Sequence, residues 1–99
     1  MTPLLLRYHV AENDVQKVIR AVETAFAGLE KAAPAGLRFA YYRVADTAEF
    51  VGLLELDDGT ENALPHLEAT RALKAVVDSV ALGSPPLPQP PKLVARYGR

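Results

Sequence analysis

Two histidines, four tyrosines and a scatter of arginines and carboxylates carry whatever chemistry this chain performs, because it holds no cysteine and no tryptophan. Without cysteine there is no thiolate nucleophile, no thiolate metal site and no disulfide framework. His66 stands out: it follows Pro65 in what reads as the first turn of a helix, at the edge of the apolar face. An imidazole there can act as a base or contact a ligand. The same position suits a ring packed at the helix start and hydrogen-bonded to a nearby carbonyl, and both readings stay open. Arg7, His9, Glu55 and Arg96 each fall on a strand face that also carries apolar residues. Together they can line a lumen that takes an anionic or phenolic ligand, or pair as ions across a dimer interface. Tyr8, Tyr41, Tyr42 and Tyr97 offer hydroxyls, Tyr42 being a further pocket candidate, although aromatic residues in strands serve mostly as packing. No serine or cysteine triad, phosphate loop or metal-spaced histidine cluster is present, so neither a metal nor a cofactor is expected.

The elements that must position these residues centre on 37–57, LRFAYYRVADTAEFVGLLELD. Leu37–Val44 and Phe50–Leu56 read as two strands joined by the polar turn Ala45-Asp46-Thr47-Ala48, an antiparallel hairpin. Apolar residues occupy both odd and even positions, which implies burial on both faces. The chain has enough helix to cover one face, and a second subunit is expected over the other. Before the hairpin, Leu4–Val10 is a strand with Leu4, Leu6, Tyr8 and Val10 on one face and Leu5, Arg7 and His9 on the other. Asn13 and Gln16 have the spacing of a capping box that opens a helix. At 100° per residue, Val15, Val18, Ile19, Val22, Phe26 and Leu29 form one stripe, opposite Gln16, Lys17, Arg20, Thr24 and Lys31. Pro34 and Gly36 stop this helix near Ala32.

After the turn Asp57-Asp58-Gly59, Asn62 is the expected cap of a second helix that carries Pro65 in its first turn and ends near Leu82, before Gly83. Ala69, Ala72, Leu73, Val76, Val77 and Val80 form its buried face, and Arg71, Lys74 and Asp78 point to water. Leu64 and Leu67 project toward the polar side, leaving apolar surface for a partner or ligand. Residues 84–91 hold five prolines and read as a semi-rigid extended arm, or as a PxxP ligand for an aromatic groove. A last strand is expected over Leu93–Tyr97. The order βαββαβ gives one ferredoxin-like α+β domain over residues 1–99, with a four-stranded antiparallel sheet.

The charge balance excludes several function classes. Eleven Lys and Arg against 12 Asp and Glu leave a net charge of -1 and no basic run, so nucleic acid is not an expected partner. MTPLLLRYHV has three consecutive leucines before Arg7, too short for a signal-peptide core or membrane span, and a cytoplasmic protein is expected. LRFAYYRV lacks the glycine and spacing of an RNA-recognition strand, and Ala11-Glu12-Asn13 is not a glycine-rich anion loop.

The stretch FVGLLELDDGTENALPHLEATRALKAVV resembles the antibiotic biosynthesis monooxygenase-like family of dimeric α/β barrel proteins. Leu54-Glu55-Leu56 matches its strand-ending triplet, His66-Leu67 its helix opening, and PPKLVARY its closing strand. The family often carries Trp after the glutamate-bearing strand, where this chain has Asp57 and Asp58, so an aromatic that would orient a polycyclic substrate is missing. The resemblance implies a homodimer with a pocket between sheet and helices. Two functions follow as expectations. One is a cofactor-independent monooxygenase or isomerase acting on a small aromatic or polyketide-like molecule. In it His66 helps to deprotonate a phenol or activated C–H, and Arg7 or Arg96 stabilises the anion. The alternative is a non-catalytic homodimer that binds a small ligand or supports another protein.

Overall fold

A computed structural model of the chain describes residues 2–98. Its elements are β1 (Thr2–His9), α1 (Val15–Ala32), β2 (Leu37–Arg43), β3 (Glu49–Leu56) and α2 (Glu68–Val80), with 3₁₀ turns at Glu12–Asp14 and Leu64–His66. The strands form an antiparallel sheet in the order β1-β3-β2, so the second strand of the expected hairpin occupies the centre. The result is an α+β fold with an antiparallel sheet and two helices, compatible with a ferredoxin-like arrangement.

The register sorts the side chains into rows. On the helix-bearing face lie Leu4–Leu54–Phe39, Leu6–Gly52–Tyr41 and Tyr8–Phe50–Arg43; on the opposite face lie Pro3–Glu55–Arg38, Leu5–Leu53–Ala40 and Arg7–Val51–Tyr42. In β3 the even-numbered residues from Phe50 to Leu56 are buried and Val51, Leu53 and Glu55 only half so, because both helices pack on the even-numbered side. The core comprises Tyr8, Val10, Val15, Val18, Ala25, Phe50, Leu73 and Val77, with Ile19, Val22 and Phe26 packed against it. The expected stripe of α1 is therefore its inward face, while Gln16, Lys17, Arg20, Thr24 and Lys31 are exposed. The helix ends at Ala32 as Pro34 and Gly36 predict. Ala33 closes it in a left-handed conformation, φ 46°, donating to the Leu29 carbonyl at 2.8 Å.

Four expectations need correction. The Asn13–Gln16 capping box does not form, because Asn13 is wound into the 3₁₀ turn in which the Asp14 N–H donates to the Ala11 carbonyl at 2.9 Å. The second helix does not run unbroken from Asn62. Leu67 is extended between the 3₁₀ turn and α2, and the Thr70 hydroxyl donates to the Leu64 and Leu67 carbonyls in place of a continuous helical ladder. The Asn62 side chain instead accepts from the Leu64 N–H at 3.0 Å, just ahead of the short turn whose cap is Ala63. Helix α2 stops at Val80 rather than Leu82, since the Leu82 N–H donates to the His9 carbonyl at 2.8 Å, and its face Thr70, Leu73, Val77 is turned so that Ala72 is exposed.

The fourth correction concerns the sheet, which has three strands rather than four. Leu5 and Gln89 exchange both backbone hydrogen bonds, at 2.8 and 2.9 Å, at the outer edge of β1 where a fourth strand would lie. In that register the next hydrogen-bonded pair is Pro3 with Pro91, and neither has an N–H to donate. Pairing stops after one rung, and Leu93–Tyr97 lies outside any strand.

Candidate functional site

Between the sheet and α2 lies a cleft of about 240 Å³. Its floor is the helix-bearing face of the sheet, with Leu4, Leu6, Phe39, Tyr41 and Leu54, and its wall is Leu73 and Val77 of α2. Leu64 and Pro65 contribute from the 3₁₀ turn, and Pro86 and Pro88 from the proline arm. The apolar surface expected around Leu64 is thus part of a concave site, lined mostly by hydrocarbon as small-molecule pockets are.

Asn62, Thr70 and the α2 residues Arg71, Lys74 and Asp78, expected from sequence to point to water, contribute to the lining, and a tyrosine pair adds a further polar feature at the sheet. The hydroxyls of Tyr8 and Tyr41 hydrogen-bond to each other across the sheet. They meet because Gly52 lies between their strands without a side chain: a Cβ built there would stand 3.3 Å from the Tyr41 ring. Phe39 and Phe50 fix the two rings, Phe39 edge-on to Tyr41 with centroids 5.9 Å apart and Phe50 stacked on Tyr8 at 5.7 Å. Burial disfavours the charged phenolate, and it pushes the Tyr41 pKa up to about 12 even though the bond from Tyr8 acts in the opposite direction. Tyr8 is raised as well, by burial first and then by the neighbouring Tyr41. Both are neutral donors at physiological pH. Two hydroxyls carry two hydrogens and their mutual bond uses one, so the pair keeps one donor for a ligand. Tyr41, which lines the cleft, is the member placed to present it.

The residues singled out by sequence lie elsewhere. His66 occupies the 3₁₀ turn with its side chain 72 % exposed and Nε2 4.0 Å from Glu61 Oε1; its neighbours Leu64 and Pro65 line the cleft, and it does not. Arg7, His9, Tyr42 and Glu55 share the open face of the sheet, opposite the cleft. Arg7 and His9 join one ion-pair cluster there and Glu55 another, and Tyr42 belongs to neither. Arg7 binds the Glu49 carboxylate, with His9 Nε2 at 3.5 Å from the same group, and the Arg7 hydrogen bond holds Glu49 below its usual range. At the other end Arg38 reaches Glu55 at 3.6 Å and Asp57 at 3.4 Å. Arg96 is exposed beyond the proline arm and joins neither. Among the described residues no group of three or more His, Cys, Asp or Glu side chains is placed to hold a metal, and no helix is long and apolar enough to cross a membrane.

The tyrosine pair was the feature least legible in the sequence. Tyr8 and Tyr41 are 33 residues apart, and only the β1-β3-β2 order places them within reach. The available signal was Gly52, a glycine inside a strand, which marks a close approach.

No family model matches this chain, and no curated protein matches it. Among solved structures it is similar to the crystal structure of an L-rhamnose mutarotase from Formosa agariphila, with a TM-score of 0.60 and 11% identity, covering 99% of this chain and 100% of that one. At that identity the likeness is one of fold, and it extends from end to end of both chains.

Proposed function

We propose that the protein is a homodimeric small-molecule-binding protein of the dimeric α/β barrel type, akin to the antibiotic biosynthesis monooxygenase-like proteins. Its cleft receives a compact, largely apolar molecule carrying an oxygen that accepts a hydrogen bond. The observation that carries this reading is the hydrogen-bonded Tyr8–Tyr41 pair, of which Tyr41 lines a largely hydrocarbon cleft. An aromatic or polyketide-like ring with one carbonyl or phenol oxygen matches that lining. A polyhydroxylated sugar matches it less well, because each hydroxyl stripped of water needs a partner and polar groups are confined to Tyr41 and to the side of the cleft with Asn62, Thr70, Arg71, Lys74 and Asp78. The activity in the mutarotase's name is therefore not carried over. The test is binding of a panel of phenolic and anthrone-like compounds to the parent and to Tyr41→Phe. Losing one net hydrogen bond weakens the best ligand by roughly two- to tenfold; equal affinity for both proteins rejects the reading.

An isomerase or monooxygenase is the second reading, favoured by the same hydroxyl. A phenol that stays neutral up to about pH 12 is suited to stabilise an oxyanion formed on a bound ring. Catalysis also needs a base. His66 lies outside the cleft, and the one carboxylate lining it, Asp78, is held by Lys74 at 2.6 Å. Binding without turnover is accordingly the preferred function, and oxygen consumption or isomerisation with any member of the panel would reverse that order.

A further inference from the structure

We propose that the cleft takes an anion with an apolar body, a ring bearing a carboxylate, and that Arg71 at its rim is the residue that selects the charge. This deepens the ligand-binding reading above and rests on it. The charges of the cleft all stand on one helix. Arg71, Lys74 and Asp78 follow one another at spacings of three and four residues, so they form a single row along α2 beside the buried row of Thr70, Leu73 and Val77. The buried row supplies the wall and the charged row its edge. These charges do not cancel. Asp78 is taken by Lys74, whose Nζ stands 2.6 Å from its Oδ2, whereas the Arg71 guanidinium has no ion pair or side-chain hydrogen bond among the described residues. One positive charge is left at the edge of a hydrocarbon-lined cleft.

The neutral polar groups of the lining favour the same kind of ligand. The Asn62 side-chain oxygen accepts from the Leu64 N–H at 3.0 Å, which leaves its NH₂ group as the end without a partner. The Thr70 hydroxyl already donates to the Leu64 and Leu67 carbonyls. What stays uncommitted along this side is therefore donor, a guanidinium and an amide, while the one carboxylate of the lining is neutralised. A carboxylate suits a guanidinium better than other partners do, because its two oxygens match the fork in two parallel bonds. Arg71 is exposed, so the bound carboxylate keeps part of its water and avoids the cost of full burial. The ring behind it reaches the floor of Leu4, Leu6, Phe39 and Leu54, where hydrocarbon meets hydrocarbon.

The test measures the affinity of the full chain for naphthoate, naphthamide and naphthol, three probes that share one ring system and differ in charge, by calorimetry at low and at high ionic strength. Circular dichroism checks that each variant is folded. The expected result is that the parent binds naphthoate about tenfold more tightly than naphthamide, a preference that shrinks as salt is added. Arg71→Gln loses the preference without changing the affinity for naphthol, and Arg71→Lys, which keeps the charge but not the fork, retains part of it. Asp78→Asn releases Lys74 and tightens naphthoate alone. Arg20→Gln, at an exposed arginine on the far side of α1, leaves all three affinities as they are. If the parent binds naphthoate and naphthamide equally, or the preference survives in Arg71→Gln, selection of an anion by Arg71 is wrong and the cleft stands as a site for neutral rings. If none of the three probes binds, both readings fall.

Discussion

Replacing Tyr41 by Phe removes the hydroxyl while leaving the ring packed edge-on to Phe39 and Tyr8 and tilted against Phe50, so its cost to stability is about 1 kcal/mol, measured as a shift in the urea midpoint. The pair also predicts a pH dependence. An unfolded tyrosine ionises near 10.0, whereas burial raises folded Tyr41 to about 12. Between these values the folded state holds a proton that the unfolded state has lost. The stabilisation from the neutral phenol is therefore complete below pH 10 and is lost as pH rises through 12. Urea midpoints measured across that window fall more steeply for the parent than for Tyr41→Phe. His66 is expected to behave as a surface residue: His66→Gln leaves stability within about 0.5 kcal/mol of the parent and leaves ligand affinity unchanged. Phe26 is half-buried and stacked on Phe39 at 5.2 Å, so Phe26→Ala costs about 2–3 kcal/mol, less than the 3–5 of a fully buried phenylalanine.

The helix pair sets the depth of the cleft wall. Gly28 in α1 brings the helices so close that a Cβ there would lie 2.4 Å from the Ala69 Cβ. Glycine to alanine inside a helix ordinarily gains up to about 1 kcal/mol. Here the contact reverses the sign, and Gly28→Ala is expected to destabilise by about 1–3 kcal/mol in thermal or urea melts. Helix α1 was legible because its stripe has the helical period and its end is marked by Pro34 and Gly36. The start of α2 was not. Asn62 and Pro65 are good opening residues for any helical turn, and nothing local says that Thr70 will bind the Leu64 and Leu67 carbonyls and leave Leu67 extended. That five-residue difference, from a cap at Asn62 to one at Leu67, leaves His66 outside the helix.

For the whole molecule, the open face of the sheet is the decisive surface. Leu5, Leu53 and Ala40 form its middle row, Val51 and Tyr42 extend it, and Tyr42 is 54 % exposed in the single copy. The paired clusters of Arg7, His9 and Glu49 at one end and Arg38, Glu55 and Asp57 at the other frame this strip. Under the homodimer reading Leu53→Glu places a charge in the middle of the interface. The variant is expected to sediment as a folded monomer at micromolar concentration, because an unpaired buried carboxylate costs more than such a contact returns. A Leu53→Glu dimer would mean that the copies meet through another surface.

Composition and spacing alone determined the α+β class, the β2–β3 hairpin, the core stripe of α1 and the absence of cysteine chemistry; that only β3 lies at the centre of the sheet was decided by the fold. The former are local properties: hydrophobic period and turn residues act within a few residues of one another, so one segment of sequence holds the whole signal. Tertiary structure decided which side of the sheet each candidate faces and which candidates meet. Arg7, His9, Tyr42 and Glu55 alternate away from the helices, and Tyr8 and Tyr41 alternate toward them. The difference depends on which face the helices cover, not on the strand sequence. The fate of Leu93–Tyr97 was decided the same way. Its sequence reads as a strand, but a strand needs a donor opposite each acceptor, and the register that sets Pro3 against Pro91 withholds them.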